Sequence, residues 1–191
     1  MPKMFLAAYV SLAALAAGAS GAAPAPAPAP AQGTPPAIHA ATKDSLTPET
    51  LNRIKARFGE IMDLANRHDL KALHQMFWQS PSALLVAKGA VASEGNWAGF
   101  WGNDAIDEKL RDIAASGPVV LRPDLARLKV VGLTQDVAES YDPVTITVSY
   151  AGQDGTPKPF LMIIDWIHAG GDWKVASEII LPVPPAPAAR G

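Results

Sequence analysis

The clearest hydropathy pattern lies near the C-terminal end, where Pro159 to Pro182 reads PFLMIIDWIHAGGDWKVASEIILP. Two apolar runs flank Ala169-Gly170-Gly171-Asp172, which predicts a β-hairpin with a glycine turn. With Gly170 and Gly171 as the turn, Ala169 faces Asp172, His168 faces Trp173, Trp166 faces Val175, Ile164 faces Ser177 and Leu161 faces Ile180. Strand alternation then sorts the side chains onto two faces. Phe160, Met162, Ile164, Trp166, His168, Trp173, Val175, Ser177 and Ile179 fall on one, which is expected to pack on the core. Leu161, Ile163, Asp165, Ile167, Lys174, Ala176, Glu178 and Ile180 fall on the other, where aliphatics and three charges mix.

Upstream the period changes from two to 3.6. Leu51, Ile54, Phe58, Ile61, Met62 and Ala65 recur at helical spacing behind Thr47-Pro48-Glu49, a cap, a proline at the first helical position and an acid at the positive end of the dipole. This helix is predicted to end near His68. Asp69 caps a short second helix through Leu70, Leu73, Met76 and Phe77, and Ala83–Ala87 is a short strand. Asn103 or Asp104 caps a third helix with Ile106, Leu110 and Ile113 inward, ending before Gly117-Pro118. Strands follow: one or two in Val119–Val131, one at Val137–Tyr141 and an alternating one at Val144–Tyr150, with a break or bulge expected at Tyr141-Asp142-Pro143.

Composition sets the class. With 191 residues, 49% hydrophobic and 18% charged, the chain suits one folded domain. A formal net charge of −2 and the lack of a basic stripe argue against a nucleic-acid partner. Lys3 followed by the apolar run Met4–Ala17 and by Ala17-Gly18-Ala19 reads as a signal peptide, too short to span a bilayer comfortably, with a cut before Ser20 or near Ala22. Residues 23–45, with their Ala-Pro alternation, are expected to be an extended tether, 46–183 the folded domain and 184–191 a Pro-rich tail. The expected product is an exported, periplasmic or secreted, soluble protein with no membrane span once the signal is removed. No cysteine is present, which excludes disulfides, thiol catalysis and thiolate metal sites.

The order of elements resembles the nuclear-transport-factor-2-like superfamily, in particular its SnoaL-like branch. Phe58–Asp69 (FGEIMDLANRHD) resembles the family's first helix leading into the second, Gly102–Leu110 (GNDAIDEKL) the start of its third, and Gly171–Ile179 (GDWKVASEI) its last strand. The resemblance implies an α+β fold, a cone-shaped roll of curved antiparallel sheet wrapped around about three N-terminal helices, with an apolar cavity. Family enzymes place one or two carboxylates in that cavity. Neither the Tyr-and-two-Asp set of steroid isomerases nor the Asp-Arg-Asp set of epoxide hydrolases has a residue-by-residue match here. The fold hosts enzymes, binding proteins and assembly modules alike.

Within that frame the candidate acid/base residues are Asp165, His168, Tyr141 and Asp142. In the regular register Asp165 faces Ala176, with Glu178 on one diagonal at roughly 7 Å and Lys174 on the other. An acid/base pair and a surface ion pair are the two readings of that face. His168 beside Trp173 reads as a group near a pocket mouth or as a stacked, partly exposed ring. The aromatic loop Asn96–Gly102 offers Trp97, Phe100 and Trp101, either as ligand contacts or as packing, and Trp166 and Ser177 complete the candidate binding set. His68 and His74 lack a third ligand at useful spacing, so no metal is expected, and no cofactor motif occurs. The expected function is binding of a small apolar molecule. Its alternatives are general acid/base chemistry on an apolar carbonyl compound and a tethered assembly module. Leu161, Ile163, Ile167 and Ile180 on one face predict a homodimer through the sheet.

Overall fold

A computed structural model describes residues 46–88, 97–149 and 154–184. The expected signal peptide, the whole tether and all of the tail but Pro184 lie outside the described residues. In chain order the elements are α1 (Pro48–Asn66), α2 (Leu70–Met76), β1 (Leu84–Lys88), β2 (Trp97–Trp101), α3 (Asn103–Ala115), β3 (Val120–Pro123), β4 (Lys129–Gly132), β5 (Val137–Thr147), β6 (Lys158–Ala169) and β7 (Asp172–Pro182).

The helix signals operate as expected at two of three starts. The Thr47 hydroxyl accepts from the Thr50 N–H, and the Asp69 carboxylate accepts from the Ala72 N–H. At α3 the cap is Gly102 with no side-chain bond. The asparagine expected there is already helical, and its amide donates to the Trp78 carbonyl at 3.0 Å. Ile54, Phe58, Ile61 and Met62 on α1 are buried, as the 3.6 period requires.

The strands form one curved, unclosed sheet in the order β2-β1-β7-β6-β5-β3, with β4 also paired to β5. All pairs are antiparallel except β1 with β7, so the sheet is mixed rather than wholly antiparallel. Phe160, Met162, Ile164 and Trp166 of β6 and Ala138, Val144 and Ile146 of β5 face inward and join the helices in one core.

Three local expectations are corrected. First, Trp97–Trp101 is a strand paired to β1, not a loop. Second, β5 runs unbroken through Tyr141-Asp142-Pro143. Proline is tolerated there because its missing N–H falls at the seam between β4, whose pairing reaches Tyr141, and β3, whose pairing starts at Val144. Third, the hairpin register is regular only near its turn. Gly170 and Gly171 both take positive φ (62° and 80°), the two left-handed residues that a tight hairpin turn needs. Ala169↔Asp172, His168↔Trp173 and Trp166↔Val175 pair as expected. A bulge between Asp165 and Trp166 then leaves Ala176 without a partner. Beyond it Asp165 pairs with Ser177, Ile164 with Glu178 and Met162 with Ile180.

A one-residue slip exchanges faces. Glu178 and Ile180 turn inward, while Ser177, Ile179 and Leu181 turn outward. The expected pairs Ile164–Ser177 and Leu161–Ile180 do not form.

Candidate functional site

The inward turn of Glu178 puts a carboxyl group into an apolar cavity of about 120 Å³ between the helices and the sheet. Ile61 and Ala65 of α1, Leu73 of α2 and Leu110, Ile113 and Ala114 of α3 form the helical wall. Leu85 and Ala87 of β1, Leu121 of β3, Ile146 of β5, Phe160 and Met162 of β6 and Glu178 and Ile180 of β7 form the sheet wall. The exposed His68 and the half-buried Lys88, Trp97, Val119 and Val148 also border it, so the cavity reaches solvent along that rim.

The turn between α1 and α2 shapes the rim. His68 sits in the left-handed region (φ 56°), and its Nε2 accepts from the Val119 N–H at 3.3 Å. Two residues earlier the Asn66 side chain pairs with the backbone of Leu121, its Oδ1 accepting at 2.7 Å and its amide donating at 2.9 Å. These bonds hold the edge strand β3 against the end of α1.

Glu178 is 7% exposed, with Ile164 opposite it on β6 and Leu85 beside it on β1. It makes no hydrogen bond or ion pair with a described residue, and burial alone pushes its carboxyl up to about 7. A second buried carboxyl, Asp142, lies on the same inner face of β5 but does not line the cavity. Its Oδ2 accepts from the Asp124 N–H at 3.1 Å, and its Oδ1 has no partner among the described residues. Burial pushes Asp142 up to about 6; the Asp124 N–H bond and Arg127 oppose the rise, and the Asp124 charge adds to it.

The other candidates lie elsewhere. Tyr141 and Asp165 face outward from the sheet. Asp165 pairs neither with Glu178 nor with Lys174: it accepts from the Ser177 hydroxyl at 2.5 Å, which places Ser177 on the outer face as well. Lys174 instead donates to the Gln75 carbonyl and lies 3.9 Å from Asp172. His168 stands at the hairpin tip, its ring 5.3 Å from that of Trp173 and its Nδ1 3.5 Å from Asp136.

Of the five aromatic and hydroxyl candidates for the ligand, Trp97 lines the cavity, tilted against Phe160 at 6.4 Å. Phe100 lies beneath the ammonium of Lys109, 4.8 Å from the ring centroid, and Trp101 is 63% exposed. Trp166 is fully buried, its indole N–H donating to the Ser140 hydroxyl at 2.9 Å.

Two buried ionisable groups escaped sequence reasoning. Glu178 was assigned to the outer face because nothing in Val175-Ala176-Ser177 marks a bulge. Lys109, buried to 2% on the inner side of α3, follows Ile106 by one helical turn; its Nζ donates to the Lys88 carbonyl at 2.5 Å. Desolvation pulls Lys109 down to about 8, against the nearby charge of Asp112. Among the described residues no cluster of three or more metal-ligating side chains occurs.

This architecture is the nuclear-transport-factor-2-like, or cystatin-like, fold. Its likeness to solved structures is clear in shape and low in sequence. A protein provisionally called a dehydratase of the NTF2-like family from Streptomyces avermitilis superposes with a TM-score of 0.59 at 16% identity, covering 73% of this chain and 100% of its own. A cystatin-like fold protein from Burkholderia xenovorans gives 0.53 at 19%, covering 74% and 98%. A protein provisionally called a scytalone dehydratase from Novosphingobium aromaticivorans gives 0.56 at 11%, covering 71% and 85%. No family model matches the sequence, and no curated protein matches it.

Proposed function

We propose that this domain binds one small, predominantly apolar molecule in its cavity, as an exported protein carried on an Ala-Pro tether. The observation that carries the reading is a cavity walled by aliphatic side chains, open at a rim and holding one carboxyl group in its wall. Such a site gains affinity from burial and orientation from its single polar group. The outer face of the sheet supports a homodimer: Leu161, Ile163 and Ile167 share it with Ile179 and Leu181, which the bulge substitutes for Ile180. Among the described residues no helix is long and apolar enough to cross a membrane.

One observation favours a catalytic second reading. Among the described residues Glu178 has no cation beside it, and a carboxyl raised by burial is suited to proton transfer near neutral pH. The dehydratase names of two structural neighbours are in line with such chemistry.

Native mass spectrometry of the protein, purified gently from its host's exported fraction, tests the binding reading. A dimer mass with a reproducible small adduct supports it. A bare mass that stays bare on addition of small aromatic compounds overturns it.

A further inference from the structure

We infer that the cavity selects an uncharged molecule of about single-ring size bearing an oxygen acceptor, a ketone, aldehyde or ether, which Glu178 holds by donating a hydrogen bond. The site rejects the corresponding carboxylates. This rests on the binding reading above and adds the ligand's chemistry.

Size comes first. The cavity's volume of about 120 Å³ is close to the roughly 150 Å³ of an apolar protein cavity that takes up benzene. The second argument is the unmet hydrogen bond. The Glu178 carboxyl, set among Leu85, Ile164 and the aliphatic wall, has no partner among the described residues and faces the cavity, and a polar group left unpaired in such a site is costly. In its neutral form the carboxyl has an O–H to give, so a ligand oxygen at that point removes the cost. A hydrocarbon of the same shape leaves it in place.

The third argument is charge. No α3, β5 or β6 residue of the lining is titratable. The other ionisable groups bordering the cavity, His68 from the α1–α2 turn and Lys88 from the end of β1, are at the rim. Asp142 is on the same sheet face, with β6 between it and Glu178. The Lys109 ammonium is engaged by the Lys88 carbonyl and the Phe100 ring. An anionic ligand reaching Glu178 would therefore meet a carboxyl and, among the described residues below the rim, no cation. Burial keeps Glu178 protonated at mildly acidic pH, so the donor is present there and fades above neutrality.

Calorimetric titration of the full chain with acetophenone, ethylbenzene and benzoate, at pH 6 and pH 8.5, tests this. At pH 6 acetophenone is expected to bind about tenfold more tightly than ethylbenzene, the worth of one hydrogen bond in a desolvated site. That preference shrinks at pH 8.5, and benzoate does not compete. Glu178→Gln, whose amide donates without titrating, keeps the preference at both pH values. Glu178→Leu binds both neutral compounds equally. Equal affinity of the unmodified protein for acetophenone and ethylbenzene, or tighter binding of benzoate, overturns the inference and leaves the cavity reading standing. Failure of all three probes to bind overturns both.

Discussion

Glu178 makes stability depend on pH in a direction set by its surroundings. Burial raises its pKa from an ordinary 4.5 to about 7, so the folded state holds the proton more tightly than the unfolded chain. Its contribution is therefore most favourable below pH 4.5 and is lost as pH rises through about 7, by on the order of 3 kcal/mol. Asp142, raised from 3.8 to about 6, acts in the same direction over a lower window. Glu178→Gln is expected to flatten the decline between pH 5 and 8 and to stabilise the protein at pH 8; urea denaturation at both pH values checks it. A second expectation concerns Trp166 and Ser140, both fully buried and bonded at 2.9 Å. Ser140→Ala leaves the indole N–H unsatisfied, at a cost of about 1–3 kcal/mol in the same assay.

Among the elements, the β6–β7 hairpin carries the most consequence. Its turn is tied to α1 by Asp172, whose carboxylate accepts from Arg53 at 2.9 Å and lies 3.1 Å from Arg57. Although desolvation works to raise it, the Trp173 N–H, Arg57, Arg53 and Lys174 hold Asp172 below its ordinary pKa. This contribution is present above the unfolded pKa and is lost as pH falls through the folded one. Asp172→Asn is expected to destabilise by about 1–2 kcal/mol at pH 7, and by less as the medium is made acidic. The bulge at Ala176 decides the site. Deleting Ala176 removes the extra residue and leaves Ser177 opposite Asp165 and Glu178 opposite Ile164, so Glu178 stays on the inner face. The deletion variant is expected to keep the decline in stability between pH 5 and 8 that Glu178 causes, read by urea denaturation. Loss of the decline would show that the pairing beyond the deletion had slipped and turned Glu178 outward.

For the whole molecule the open question is assembly. The outer sheet face presents Leu161, Ile163, Ile167 and Ile179 half-buried and Leu181 40% exposed, with Asp165 bonded to Ser177 in their midst. An apolar face of this kind is expected to be covered by a second copy. Light scattering at micromolar concentration should give a dimer for the unmodified protein and a folded monomer for Ile163→Lys. A monomer in both cases removes the dimer from the proposal.

Local patterns accounted for much of the fold. Thr47-Pro48, Asp69 and Gly170-Gly171 each act within a few residues of themselves, and they set helix starts and a turn correctly. The periods of two and 3.6 also identified the buried faces of α1, β5 and β6, because burial of an apolar stripe is dictated by spacing alone. The candidate site was less legible. Pro143 looked like a break because its tolerance depends on a seam between two other strands. Ser177 looked inward and Glu178 outward because the bulge has no local signature. The parallel pairing of β1 with β7 joins residues far apart in the chain. By itself the sequence determined the three helices, the terminal hairpin and its turn, the fold class and the lack of thiol side chains. Only the tertiary structure decided which carboxyl faces the cavity, since a one-residue slip against a neighbouring strand inverts a face and is governed by packing across the sheet.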